Sequence, residues 1–209
     1  MKRMKVVFTV LWCIAAPFFS LVHPCRLVGR ERLPSNGGLF CANHTGMSDP
    51  LCLIVSLGVK WNLHVMAKAE LMRVPVLGWL LKQAGIFGVE RGKSDVGAIK
   101  TAMKFLKGGE SVLIFPEGTR IKNGVDKDGH ESEAKAGAAM LAVRTGVPLV
   151  PVYIPEKKRW FGITKVVIGE PYFPQVQSRK GSAEEYQVIA EDLMERIRAL
   201  ESGSTWGTA

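Results

Sequence analysis

Hydrophobic positions along the chain come in short blocks, closed by glycine and proline, and the blocks alternate between two periods. Leu39-Phe40-Cys41-Ala42 is a compact apolar run after the turn cluster Pro34-Ser35-Asn36-Gly37-Gly38, which predicts a buried strand leading to Asn43 and His44. Ser111-Val112-Leu113-Ile114-Phe115, stopped by Pro116, is the strongest strand signal. Further strands are predicted at 25–30, 63–67, 85–90, 148–154 and 165–169. Helical spacing appears between them. Asp49-Pro50 reads as a helix start, with Asp49 as cap and Pro50 in the first turn, and the helix runs to Leu57 before Gly58. Val96, Ile99, Met103 and Leu106 share one face of a helix over 95–107, ended by Gly108-Gly109. Two short helices at 68–73 and 76–83 break around Pro75, and longer ones follow at 134–144 and 183–200. Residues 122–133 are polar and read as an exposed loop. Strands alternating with helices indicate an α/β fold, a single domain with a largely parallel or mixed sheet flanked by helices.

The first block is different. Lys2, Arg3 and Lys5 precede an uncharged run from Val6 to Val22, and Arg26, Arg30 and Arg32 follow it. That run sits at the short end of the roughly 17–25 residues that span a bilayer. Basic residues on both flanks favour both ends on one side, with Pro17 supplying a bend, so an in-plane or re-entrant membrane anchor ranks first. A single span ranks second. Secretion ranks last, because no small-x-small cleavage site precedes His23 and Pro24. The expected division is an anchor over 1–24, a catalytic domain over 25–201 and a tail over 202–209.

Composition narrows the partners. A net charge of +9 favours anionic ones. Nucleic acid is excluded for want of zinc-finger spacing, aromatic RNA-binding signatures or a dense basic helix. An anionic membrane surface fits better, since the basic residues begin beside the apolar run. Cys13, Cys25, Cys41 and Cys52 include no CxxC pair and read as small buried hydrophobes in a reducing compartment. No metal is expected: His23, His64 and His130 have no ligand spacing, and Asp126-Lys127-Asp128-Gly129-His130-Glu131 lacks the length and final spacing of a calcium loop.

Three strings carry candidate chemistry. In Asn43-His44-Thr45-Gly46-Met47-Ser48-Asp49, a tight turn through Gly46 can bring the Asp49 carboxylate to one imidazole nitrogen of His44, leaving the other as a general base. Taken alone, the same residues also describe a capping aspartate beside a surface histidine. Phe115-Pro116-Glu117-Gly118-Thr119-Arg120 follows the best buried strand. Gly118 permits an unusual turn, Arg120 offers a planar fork for phosphate, and Glu117 can orient it or accept a hydroxyl. A strand-end turn with a surface Glu–Arg pair is the plainer alternative. Gly85-Ile86-Phe87-Gly88-Val89-Glu90-Arg91-Gly92 ends in Arg91, either a second phosphate ligand or a solvated side chain.

Together these strings resemble the glycerolipid acyltransferase family that includes bacterial 1-acylglycerol-3-phosphate acyltransferases. The Asn-His-x-x-x-x-Asp block stands at 43–49, a Gly-x-x-Phe-like block ending in Arg at 85–91, Phe-Pro-Glu-Gly-Thr-Arg complete at 115–120, and a Pro-containing apolar strand at 147–152. They occur in the family's order. Gly88-Val89-Glu90 departs from the family's usual Phe-Ile-Asp type of sequence.

The resemblance implies an acyl transfer without cofactor. His44 would take the proton of an acceptor hydroxyl, oriented by Asp49, and the oxygen would attack the thioester of acyl-CoA or acyl carrier protein. Arg91, Glu117, Gly118, Thr119 and Arg120 would hold the phosphate and glycerol end, and Lys68 resembles a family lysine near that site. The implied acceptor is lysophosphatidate, 1-acyl-sn-glycerol 3-phosphate, acylated at its sn-2 hydroxyl to phosphatidate on the cytoplasmic face of the cell membrane. Alternatives are another lysophospholipid, glycerol 3-phosphate, or a lipid hydrolase using the same pair on water.

Overall fold

A computed structural model of the chain describes residues 2–58, 61, 63–90, 95–126, 128–130, 134–178 and 181–202. The elements run α1 (Lys2–Val22), β1 (Cys25–Val28), β2 (Leu39–Ala42), α2 (Asp49–Leu57), β3 (His64–Lys68), α3 (Leu77–Gln83), β4 (Phe87–Val89), α4 (Val96–Lys107), β5 (Val112–Ile114), α5 (Gly137–Thr145), β6 (Leu149–Tyr153), β7 (Thr164–Ile168) and α6 (Ala183–Ala199).

The strands form one mixed sheet of order β1-β7-β6-β2-β5-β3-β4. Five strands, β6-β2-β5-β3-β4, run parallel. β7 joins β6 antiparallel, and β1 pairs parallel to β7. The carboxyl ends of the five parallel strands therefore share one edge, the edge where ligand groups gather in open α/β sheets.

Strand alternation divides the core into two layers. Leu39 and Cys41 of β2 face Ala102, Leu106, Leu141 and Ile197 from α4, α5 and α6. Phe40 and Ala42 face the other way, onto Cys52, Leu53 and Leu57 of α2, with Phe19 of α1 against the same cluster. Covered on both faces, the central strands are continuous apolar runs, as parallel strands must be. β2 keeps its predicted bounds because all four residues are fully buried.

Several predicted boundaries shift at the less buried elements. The block at 85–90 pairs only over Phe87–Val89. The segment expected as a helix at 68–73 is a 3₁₀ turn over Ala69–Arg73. Pro17 lies inside one continuous α1. Among the described residues no helix is long and apolar enough to cross a membrane. The predicted flexible tail falls on 203–209, outside the described residues, apart from Ser202.

The far edge of the sheet holds a buried polar pair. His64 Nδ1 lies 2.9 Å from the Gly85 carbonyl, its Nε2 meets Glu110 Oε2, and its ring stacks on Phe105 at 3.6 Å between centroids. His64 is fully buried and Glu110 nearly so. Glu110→Ala leaves a buried ring nitrogen without its partner, an expected loss of about 1–3 kcal/mol. Chemical denaturation of the variant checks this, with turnover per folded molecule preserved because the pair sits at the opposite edge from His44.

Candidate active site

β2 delivers His44 two residues beyond its last paired position, and β5 delivers Glu117 three beyond its own. β2 and β5 are neighbours, so the two loops meet. The His44 N–H donates to Glu117 Oε2 at 2.7 Å, and the Ile121 N–H donates to the His44 carbonyl at 2.7 Å. The His44 ring stacks on Phe115 at 4.1 Å between centroids. Backbone and ring are thus both held by the Phe-Pro-Glu-Gly-Thr-Arg string.

Asn43 clamps the other side. Its Nδ2 donates to the Ile154 carbonyl at 2.8 Å, and its Oδ1 accepts from the Ile154 N–H at 2.8 Å. The exit of β6 is thereby fixed to the turn that carries His44.

Asp49 does not cap its own helix; Ser48 occupies that position, with Asp49 and Pro50 beginning the first turn. The carboxylate instead folds back over the turn. Oδ2 lies 3.0 Å from His44 Nδ1 and accepts from the Thr45 and Gly46 N–H groups at 2.7 Å each. Because a carboxylate only accepts, Nδ1 carries the proton and Nε2 presents its lone pair. Among the described residues Nε2 has no hydrogen-bond partner. Oδ1 is 2.6 Å from Lys158 Nζ. Asp49 is fully buried, and burial alone would raise its pKa. Hydrogen bonds from His44, Lys158 and the Gly46 N–H, with the lysine charge, outweigh that and hold the carboxyl below its usual range.

Gly118 turns at φ +67°, closed by its N–H to the Phe115 carbonyl at 2.9 Å. A Cβ there would stand 2.9 Å from Lys135 Cε, so the missing side chain lets the lysine stem lie across the turn. Lys135 also donates its N–H to the Pro116 carbonyl. It borders a cavity of about 440 Å³ with Met66, Ile99, Phe115, Pro116 and Leu141. A second pocket, about 250 Å³, opens on the other flank of the His44 turn beside Asn43, Thr45, Glu117 and Glu156.

Thr119, Arg120 and Lys68 follow or end parallel strands at the same edge. Arg120 is exposed and Thr119 half-buried after Gly118. Among the described residues Arg120 has no ion-pair partner. Lys68 ends β3 and pairs with Glu70 at 3.1 Å, both largely exposed. Arg91 falls outside the described residues, but the ends of its segment are tied: Asp95 Oδ2 accepts from the Glu90 N–H at 3.0 Å and Oδ1 from the Ala98 N–H at 2.9 Å, capping α4. Asp126 accepts from the Asp128 and His130 N–H groups, a local turn on the exposed loop.

Sequence reasoning missed Lys158, Lys135 and the double bond from Asn43. Lys158 carried only a faint signal, a Lys157-Lys158-Arg159 run soon after a parallel strand. The ring of Phe115 was legible as strand, not as a shelf for the imidazole.

The arrangement offers an oriented imidazole base beside cations at one sheet edge. The Acyltransferase family model matches residues 25–155, and the chain belongs to this family and is an acyltransferase enzyme. It is 34% identical over 189 residues to the 1-acyl-sn-glycerol-3-phosphate acyltransferase of Bacillus subtilis, across 88% of this chain and 91% of that protein. It is 32% identical over 145 residues to a lyso-ornithine lipid O-acyltransferase of Pseudomonas aeruginosa, across 68% of this chain and 52% of that protein. The fold matches the crystal structure of the 1-acyl-sn-glycerophosphate (LPA) acyltransferase PlsC from Thermotoga maritima at a TM-score of 0.66 and 26% identity, across 98% of this chain and 81% of that one. The chain spans only about a third of the length of two chloroplast relatives it matches.

Proposed function

We propose that this acyltransferase moves an acyl group from acyl-CoA or acyl carrier protein to the sn-2 hydroxyl of 1-acyl-sn-glycerol 3-phosphate, giving phosphatidate. The observation that carries the reading is the 3.0 Å contact between His44 Nδ1 and Asp49 Oδ2, which leaves Nε2 as a positioned base. Nε2 takes the hydroxyl proton as the oxygen attacks the thioester carbonyl. The tetrahedral oxyanion collapses, the C–S bond breaks, and the imidazolium returns the proton to the leaving thiolate. No protein nucleophile is needed. Arg91, Arg120 and Lys68 supply charge for the acceptor phosphate, and Gly118 and Thr119 shape the turn that presents Arg120. Glu117 anchors the His44 backbone and stands at the glycerol end. The 440 Å³ cavity, walled by Met66, Ile99 and Leu141, suits an acyl chain.

The substrate reading also rests on the relatives' names, and the same names support a membrane setting. α1 exposes Val6, Val10, Ile14, Phe18 and Leu21 at three- and four-residue spacing. Exposed Trp79, Trp160, Phe161 and Ile163 lie outside that helix, and the loop of Trp160 docks on its end: the Phe161 N–H donates to the Val22 carbonyl, and Trp160 packs on His23. Such a surface fits one leaflet of an anionic membrane at the cytoplasmic face, with residues 1–24 as the anchor and 25–201 as the catalytic domain.

The purified protein, given lysophosphatidate and acyl-CoA or acyl carrier protein, is expected to form phosphatidate. A panel including glycerol 3-phosphate, other lysophospholipids and lyso-ornithine lipid tests the acceptor; preference for one without a phosphomonoester would overturn it. Arg120→Ala is expected to raise KM for lysophosphatidate roughly 10- to 100-fold, since a hydrogen bond to a charged group is worth about 1.5–3 kcal/mol.

A further inference from the structure

Three donors already converge on Asp49 Oδ2, from His44 Nδ1 and the two backbone N–H groups. Its other oxygen, Oδ1, meets Lys158 at 2.6 Å. The Lys158 side chain is only 7% exposed, beside a carboxylate that is fully buried. The ammonium also donates to Thr45 Oγ1 at 3.1 Å, inside the same turn. Lys158 reaches this place because the chain leaving β6 is pinned four residues earlier, by the paired amide bonds between Asn43 and Ile154. The lysine is therefore delivered to the His–Asp pair by the clamp that carries His44.

We propose that Lys158 is a positioning residue for acyl transfer, which grips Asp49 Oδ1 so that Oδ2 stays beneath His44 Nδ1, and whose charge balances the carboxylate so that His44 rests neutral. The proposal rests on His44 being the base. A buried carboxylate without a compensating cation draws a proton onto its nearest basic partner. Here that partner is the imidazole, and a protonated imidazole cannot accept the hydroxyl proton. With Lys158 in place the aspartate and lysine charges cancel at rest. The group then turns positive when Nε2 gains the substrate proton, as the thioester oxygen turns negative.

The other titratable groups facing the pair do not substitute for the lysine. Glu117 from the β5–α5 loop and Glu156 beyond β6 are acidic. The thiols of Cys25 on β1 and Cys52 on α2 lie within electrostatic reach of Lys158, and neither brings a positive charge.

The test compares the full-length wild type with Lys158→Gln, which keeps a hydrogen-bond donor and removes the charge. Isotope-labelled histidine, assigned with His44→Ala, lets NMR follow the protonation of His44 directly. In Lys158→Gln that titration, and the acid limb of kcat/KM, are expected to move to higher pH, because a neighbouring positive charge is lost. At neutral pH kcat is expected to fall about 10- to 100-fold, less than the roughly 10²–10⁴-fold worth of a general base, with KM for both substrates within about twofold. An unmoved His44 titration in the folded variant overturns the proposal, because a mere strut for the loop would not alter it. If Lys158→Gln does not fold, Lys158→Arg decides: its wider planar head keeps the charge but not the grip, so a lower kcat at unchanged KM supports the role and a wild-type kcat overturns it. Wild-type inactivity toward lysophosphatidate would instead count against the proposed substrate, and the NMR titration would still read Lys158 without turnover.

Discussion

His44→Ala is expected to lower kcat by about 10²–10⁴-fold while leaving the fold and the binding of both substrates nearly intact. The ring is held from three sides, by Asp49 through Nδ1, by Phe115 beneath it and by its own backbone bonds to Glu117 and Ile121. Truncation removes the base and one donor from a carboxylate that keeps three others. Steady-state kinetics at saturating acceptor, with circular dichroism to confirm the fold, measure the loss. Full activity in His44→Ala would remove the histidine from the mechanism. A thioester hydrolysis rate equal in wild type and variant would show that His44 does not activate water.

Asp49→Asn should cost both activity and stability. An amide has one acceptor oxygen where the carboxylate has two. If that oxygen faces His44 and the two N–H groups, the amide NH₂ points at Lys158 and leaves its charge buried without a partner. If the amide flips, its NH₂ donates to His44 Nδ1 and forces the proton onto Nε2, where it blocks the base. Either way the expected fall in kcat is on the order of 10²–10⁴-fold, and losing one partner of a buried ion pair costs about 3–5 kcal/mol. The pH dependence follows from the lowered pKa of Asp49. A carboxyl whose folded value lies below its ordinary 3.8 stabilises the protein fully at pH above that value, and the contribution disappears as pH falls through the lowered one. The stability gap between wild type and Asp49→Asn is therefore constant from neutral pH down to about 4 and closes below it. Denaturant titrations across that range check this, and a gap that widens in acid would overturn it.

Much of this architecture could be read from the sequence because the central strands are buried on both faces. Leu39–Ala42 needs no neighbour to announce itself, and Val112–Ile114 is nearly as clear. The edge elements were harder. Phe87–Val89 is half-buried and packs against the 3₁₀ turn as well as β3, tertiary contacts that local spacing does not encode. β7 reverses against β6 after residues 154–163, where Pro155 and Gly162 mark turns without announcing the direction of the next strand.

The site divides in the same way. His44, Asp49, Glu117 and Gly118 stand in contiguous strings whose residue types suggest their roles. For Asp49 the sequence allows both a helix cap and a carboxylate folded back on His44, which have the same neighbours; the structure puts Ser48 at the cap and Asp49 Oδ2 on Nδ1. Lys158 lies 109 positions from Asp49 along the chain, as its number shows, and only the sheet order brings the two together. Lys68 ends β3, where its salt bridge to Glu70 ties it to its own turn.

The bond pair between Asn43 and Ile154 has a chemical consequence for how this enzyme ages. One short planar group must donate to a carbonyl and accept from an N–H at once, which a carboxamide does and an ionised carboxylate does not. Glutamine has the group on a longer stem. Aspartate has the length without the donor. Spontaneous deamidation of Asn43 would thus set a carboxylate against the Ile154 carbonyl, loosening in one hydrolytic event both the histidine turn and the segment that delivers Lys158. Damage at Asn43 would reach His44 and Lys158 through the backbone, with both side chains chemically unchanged.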